Sequence, residues 1–124
     1  RTQLAKDLMK DHLQTEARSI CAVFAHNDDM AIGAAQAIEE SRALGLRPGK
    51  DILIIGVDGV RRGLEMLVEK KLNALVECNP LLGKTVLQAA VEVLRGRSFP
   101  GALTVHEKVF TVHNAADALP SRRY

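Results

Sequence analysis

Four polar residues in a row, His26-Asn27-Asp28-Asp29, interrupt an otherwise apolar run, and Asp58-Gly59 ends a second one. Carboxylates beside an imidazole can carry out acid–base chemistry. The same groups can also bind a polar, uncharged ligand such as a sugar, whose hydroxyls both donate and accept. A carboxylate accepts from two hydroxyls at once, and a carboxamide donates and accepts; bonds to an ionised group are the stronger ones. These residues also have plainer uses. Asn27 and Asp28 are good helix caps, and Asp58-Gly59 is good turn chemistry. Spacing alone leaves both uses open.

Catalysis finds little else to build on. The chain has no G-x-S-x-G elbow and no P-loop, and Gly56-Val57-Asp58-Gly59 does not complete a G-x-G-x-x-G fingerprint. The four histidines and two cysteines show no metal-ligand spacing. The expectation is therefore a binding protein rather than an enzyme, with no metal and no cofactor. Cys21 and Cys78 each sit in an apolar run and are expected as buried thiols.

The polar groups need elements to hold them, and the hydrophobic pattern supplies them. Residues 20–25 and 51–57 are continuous apolar runs, as in strands buried on both faces of a parallel sheet. A third strand is expected over 73–78 and a fourth over 105–112. Apolar residues at helical spacing predict helices over 2–13, 29–44, 61–70 and 80–97. Thr2 is the expected cap of the first, Gly45 the stop of the second, and Pro80 the opening of the fourth. Residues 99–101 read as a turn and the last residues as a frayed tail. Regular α–β alternation implies right-handed βαβ units, hence a three-layer α/β/α fold with a mostly parallel sheet. In such sheets ligands meet the carboxyl ends of the strands, where Asn27 and Asp58 both fall.

The totals agree with a globular chain. Of 124 residues, 47% are hydrophobic and 26% charged, while 3% are aromatic with no Trp, so the core must be aliphatic. The net charge is +2. Lys and Arg are scattered, with pairs at Arg61-Arg62, Lys70-Lys71 and Arg122-Arg123. No basic stripe suggests a nucleic-acid partner, and the last pair reads as solvated tail. No apolar run approaches the roughly 20 residues of a membrane span.

The segment Ala22 to Ala34 closely resembles the strand–turn–helix of type I periplasmic sugar-binding proteins, the ribose-, galactose- and galactofuranose-binding receptors of ABC transporters. The resemblance continues through Gly45 to Ile52, Ile55 to Gly59 and Glu77 to Gly83, and takes in the first helix from Arg1. It implies a periplasmic receptor for a monosaccharide, working with the membrane subunits of an importer. It places sugar contacts at Asn27 and Asp58 and, on the strand entering the hinge, at Glu77 or Cys78. Asp28 falls to the role of helix cap. A LacI-type transcription regulator shares the fold and is the alternative.

Such receptors have two lobes joined by three crossovers, and they close on the ligand by hinge motion. Here residues 1–78 resemble part of the C-terminal lobe. Residues 79–124 resemble a hinge crossover and segments that return to the N-terminal lobe. A chain opening on Arg1 without Met, with no visible signal peptide, is expected to be a fragment. The helix from Pro80 then lacks its partner lobe, so the fragment is expected to fold back or pair with a second copy.

Overall fold

Helix α2 (Asp28–Glu40) is the centre of the structure, a computed structural model that describes residues 1–98 and 100–124, with the backbone alone at Arg42. Its inner residues are small or branched: Ala31, Ile32, Gly33, Ala34, Ala35, Ala37 and Ile38 are all buried. Small side chains let two surfaces approach it at once. On one side, Gly33 lies against the backbone of α1 (Thr2–Glu16), where a Cβ would run into the Thr2 carbonyl oxygen. On the other, Ala31 packs over Gly56 of the sheet.

The sheet has four strands in sequence order: β1 (Ala22–Phe24), β2 (Leu53–Asp58), β3 (Ala74–Glu77) and β4 (Val109–Thr111). The first three are parallel, with Phe24 beside Ile55 and Asp58 beside Glu77. β4 runs antiparallel to β3, with Phe110 beside Leu75. Helix α3 (Arg61–Val68) buries Leu64 and Leu67, and the short α5 (Ala115–Ala118) buries Ala115. Two 3₁₀ turns, Arg42–Leu44 and Leu119–Ser121, complete the body. Gly45 has a positive φ of 68°, but it follows the 3₁₀ turn and does not stop α2, whose C-cap is Ser41.

The expected α/β alternation is present, but this chain builds only two of the three layers. Ile54, Leu75 and Phe110 point under the helices and are buried. Their strand neighbours point the other way into the open: Phe24 is 64% exposed and Leu53, Val76 and Val109 are also exposed. The apolar runs that suggested burial on both faces are therefore buried on one. Cys21 and Cys78, expected inside, are exposed free thiols. Helix α4 (Gly83–Leu94) buries none of its residues, and Leu87 and Leu94 stand in the open.

Other differences are local. α1 is preceded by Arg1 without a side-chain cap, so Thr2 is its first residue rather than its cap, and Leu4 and Leu8 lie outside its buried stripe of Met9 and Leu13. α2 ends at Glu40, four residues early, where the 3₁₀ turn takes over. The fourth strand is three residues long, because only Val109–Thr111 pairs with β3. Residues 109–124 come back to the core of residues 1–77, so packing does not divide the chain at 78/79. The expected turn at 99–101 falls on Phe99, outside the described residues.

Close packing at Gly33 makes a clear contrast. Gly33→Ala should destabilise the chain by roughly 1–3 kcal/mol through overpacking against α1. Gly83→Ala has open space around it and should be neutral or slightly stabilising by restricting the unfolded chain. Urea unfolding of the two variants measures the difference.

Candidate functional site

Because β1, β2 and β3 are parallel, their carboxyl ends share one rim. Asn27 lies three residues beyond Phe24 and Asp58 three beyond Ile55, and Phe24 and Ile55 are register partners. The two expected contact residues therefore lie at the same end of adjacent parallel strands, Asn27 in the turn after β1 and Asp58 as the last residue of β2. Asp58 in turn is paired in register with Glu77.

Asn27, not Asp28, caps α2. Its Oδ1 accepts from the Met30 N–H at 2.9 Å, and its extended backbone (φ −156°) suits a cap. Among the described residues its Nδ2 makes no hydrogen bond, so a donor remains at the rim. His26 is exposed and packs edge-on against Phe24, with ring centroids 5.6 Å apart. Asp29 is exposed in the first turn of α2, a favourable place for a negative charge.

Asp28 does something the sequence pattern hid. It is 1% exposed, and its Oδ2 accepts from the Val60 N–H at 2.7 Å. One carboxylate thus ties the turn after β1 to the turn after β2. Gly56 and Gly63 are bare of side chain where they face it, and a Cβ on either would press on its carboxylate. Its Oδ1 has no hydrogen-bond partner among the described residues. Burial pushes its carboxyl up to about 7, against the pull of the Val60 and Gly59 N–H groups and with the help of the nearby Asp58 charge.

Asp58 ends β2 with φ at 119°, the left-handed side that few non-glycine residues occupy. Its carbonyl accepts from the Cys78 N–H at 3.0 Å. Its carboxylate forms no hydrogen bond or ion pair among the described residues and is free to meet a ligand. Backbone strain of this kind clusters at ligand sites.

Glu77 is placed differently from its neighbours. It is buried, and its carboxylate is already occupied. Oε1 accepts from Arg122 Nη1 at 2.6 Å and from the Tyr124 hydroxyl at 2.9 Å, and Oε2 accepts from the Lys108 N–H at 3.0 Å. Desolvation acts to raise its pKa, but the bonds from Arg122, Tyr124 and Lys108 outweigh it and hold the carboxyl below its ordinary value. Burial and the bond to Glu77 push the Tyr124 hydroxyl up to about 12, so it remains a donor at neutral pH. Cys78, the other candidate at this hinge, is exposed just beyond β3. The structure thus brings Asn27, Asp58 and Cys78 to the rim, and commits Glu77 to the tail.

Sequence reasoning missed Arg122 and Tyr124. The pair Arg122-Arg123 read as solvated tail, yet the Arg122 side chain is 9% exposed and sits between the Phe110 and Tyr124 rings, 4.5 Å from each centroid. A signal did exist. A carboxylate at the inward position of an apolar strand, as Glu77 is, requires a buried partner.

Comparisons with known proteins give the chain its family and fold. The model of the periplasmic binding protein domain matches residues 2–98. The galactofuranose-binding protein YtfQ of Escherichia coli is 35% identical over 113 residues, covering 90% of this chain and 35% of that protein. The ribose import binding protein RbsB of Bacillus subtilis is 42% identical over 93 residues, covering 74% of this chain and 28% of its own length. The crystal structure of a galactofuranose-binding protein superposes with a TM-score of 0.87 at 33% identity, over 98% of this chain and 41% of that one. A Mycobacterium smegmatis protein in complex with β-D-fucofuranose gives 0.85 at 39% identity, over 96% and 38%. This chain belongs to the periplasmic binding protein family. It spans about a third of the length of the curated relatives it matches.

The buried Asp28 makes stability depend on pH. Its carboxyl moves from 3.8 when unfolded to about 7 when folded, so the folded chain holds that proton more tightly. Stability should therefore fall as pH rises from 3.8 to about 7 and level off above, by at most roughly 4 kcal/mol. Glu77 acts in the opposite sense, and only below its ordinary 4.5. In Asp28→Asn, urea unfolding across this range should lose the fall seen in the parent.

Proposed function

We propose that this chain forms part of a solute-binding receptor of an ABC importer, working outside the cytoplasmic membrane in the periplasm and binding a monosaccharide between two lobes. The observation that carries this reading is the shared rim. Among the described residues, Asn27 offers an unbonded amide donor and Asp58 an unbonded carboxylate at the same end of adjacent parallel strands. That combination suits a ligand whose neighbouring hydroxyls both donate and accept. The relatives named above are sugar-binding proteins, which supports a sugar over other polar ligands and a receptor over a LacI-type regulator.

In this reading Asn27 and Asp58 contact the sugar and Cys78 lines the site beside them. Glu77 serves the site by fixing the tail rather than by touching ligand. Residues 1–78 form part of the C-terminal lobe, and 79–108 cross toward the other lobe, which explains why α4 finds nothing here to pack on. Residues 109–124 return. The uncovered sheet face and α4 belong against chain that this sequence does not contain. Left alone, they favour pairing with a second copy.

Thermal-shift screening of a receptor containing this chain against a monosaccharide panel tests the assignment. A cognate sugar at 100 times its dissociation constant stabilises by about 2.7 kcal/mol. Asn27→Ala or Asp58→Ala should each remove roughly 1.5–3 kcal/mol of affinity, the worth of a hydrogen bond to a charged or well-placed polar group. A shift with an unrelated metabolite and none with any sugar would overturn the reading.

The 124-residue chain alone should show no measurable sugar affinity and should sediment as a dimer or larger. A clean monomer in dilute solution would count against the exposed faces as an association surface.

A further inference from the structure

We propose that the C-terminal tail, Leu119–Tyr124, is a positioning device for the ligand-bearing turn, with Arg122 and Tyr124 holding Asp58 in its left-handed backbone conformation. The relevance to ligand rests on the sugar-binding reading; the effect on the backbone does not.

A non-glycine residue at φ 119° stays there only where its surroundings over-determine it. The turn Asp58–Arg61 is gripped from two sides. From the first side, Asp28 takes the Val60 N–H. From the second, the tail takes what is left. The Tyr124 main-chain oxygen accepts from the Arg61 N–H at 2.6 Å, which α3 leaves without a side-chain cap. The Arg61 side chain returns the contact, donating from Nη1 to the Leu119 and Arg122 carbonyls at 3.0 and 3.1 Å.

Arg122 completes the grip. Its Nη1 is bonded to Glu77, the register partner of Asp58. Its Nη2 lies directly under Gly59, 2.9 Å from where a Cβ would stand. Gly59 itself has φ 71°, a conformation that favours glycine. Nε and Nη2 of Arg122 are buried without a hydrogen-bond partner among the described residues. That is a costly arrangement for a residue that only decorates a tail, but an understandable one for a wedge set under a turn. The rings of Phe110 and Tyr124 hold the guanidinium plane in place from either face.

The test reads the backbone of Asp58 directly. In the isotope-labelled chain, the three-bond coupling between the Asp58 amide and α protons is small at its φ of 119° and large in an extended conformation. The parent chain should give the small value, and Arg122→Ala the large one. Arg61→Ala removes an exposed side chain and its two bonds to the tail, so it keeps the fold should Arg122→Ala lose it. It should raise the same coupling. A small Asp58 coupling in Arg61→Ala and in folded Arg122→Ala, with tail amides shifted as in a released segment, would overturn the proposal.

In a receptor containing this chain, the same variants should bind sugar about tenfold more weakly, because the binding-competent turn is then populated only about a tenth of the time. If the coupling changes while sugar affinity does not, the link from tail to ligand is overturned. If the parent receptor binds no sugar at all, the sugar reading fails, and the coupling still decides whether the tail sets the turn.

Discussion

One hydrogen bond aligns the two turns at the strand-end rim: the buried Asp28 carboxylate, in the first turn of α2, accepting from the Val60 N–H. It joins the first turn of α2 to the loop that opens α3, and so fixes Asn27 relative to Asp58. The bond is possible because Gly56 and Gly63 leave room for a carboxylate where any side chain would collide with it. It is costly because the carboxylate is dehydrated and one of its oxygens has no partner among the described residues. What the chain gains at this cost is a fixed relation between the turn after β1 and the turn after β2.

Around that bond the packing is one-sided. α2 and α3 cover one face of the sheet with aliphatic side chains, with α1 packed on α2, while the opposite face and α4 remain bare. A sheet with aliphatic residues on both faces is made to be covered on both. The chain spans about a third of its relatives' length, and the open surfaces mark where more polypeptide belongs. The second grip on the rim comes from the far end of the chain. Glu77, Arg122 and Tyr124 form a closed set of bonds that draws residues 109–124 back to β3 and α3.

Much of this was legible in the residues. The alternation of apolar runs and helical spacing predicted each of the first three strands to within two residues, and the strand-end polar residues pointed to the rim. Glycine and proline punctuation was less exact: α2 ends at Glu40, short of Gly45, and α4 opens at Gly83, three residues after Pro80. What misled was burial. Continuous apolar runs in Ser19–Ala25 and Asp51–Val57 carry no record of whether both sides are covered in this chain, so Phe24, Leu53 and both cysteines were expected inside. The division of labour within the polar turn was equally hidden. Asn27 and Asp28 are both acceptable caps, and only the path of the chain at Val60, 32 residues further on, decides which one is used elsewhere.

Local chemistry thus determined the elements and the two turns, because periodicity, capping and glycine placement act over a few residues. Contacts between distant residues decided the rest. Asp28 found Val60, and Glu77 found Arg122 and Tyr124 across 45 and 47 residues. A buried charge needs a partner of the right sign at the right depth, and which residue supplies it depends on where the folded chain returns. That is why a tail that reads as solvated arginines becomes, in three dimensions, a buried partner of Glu77 beside the turn after β2.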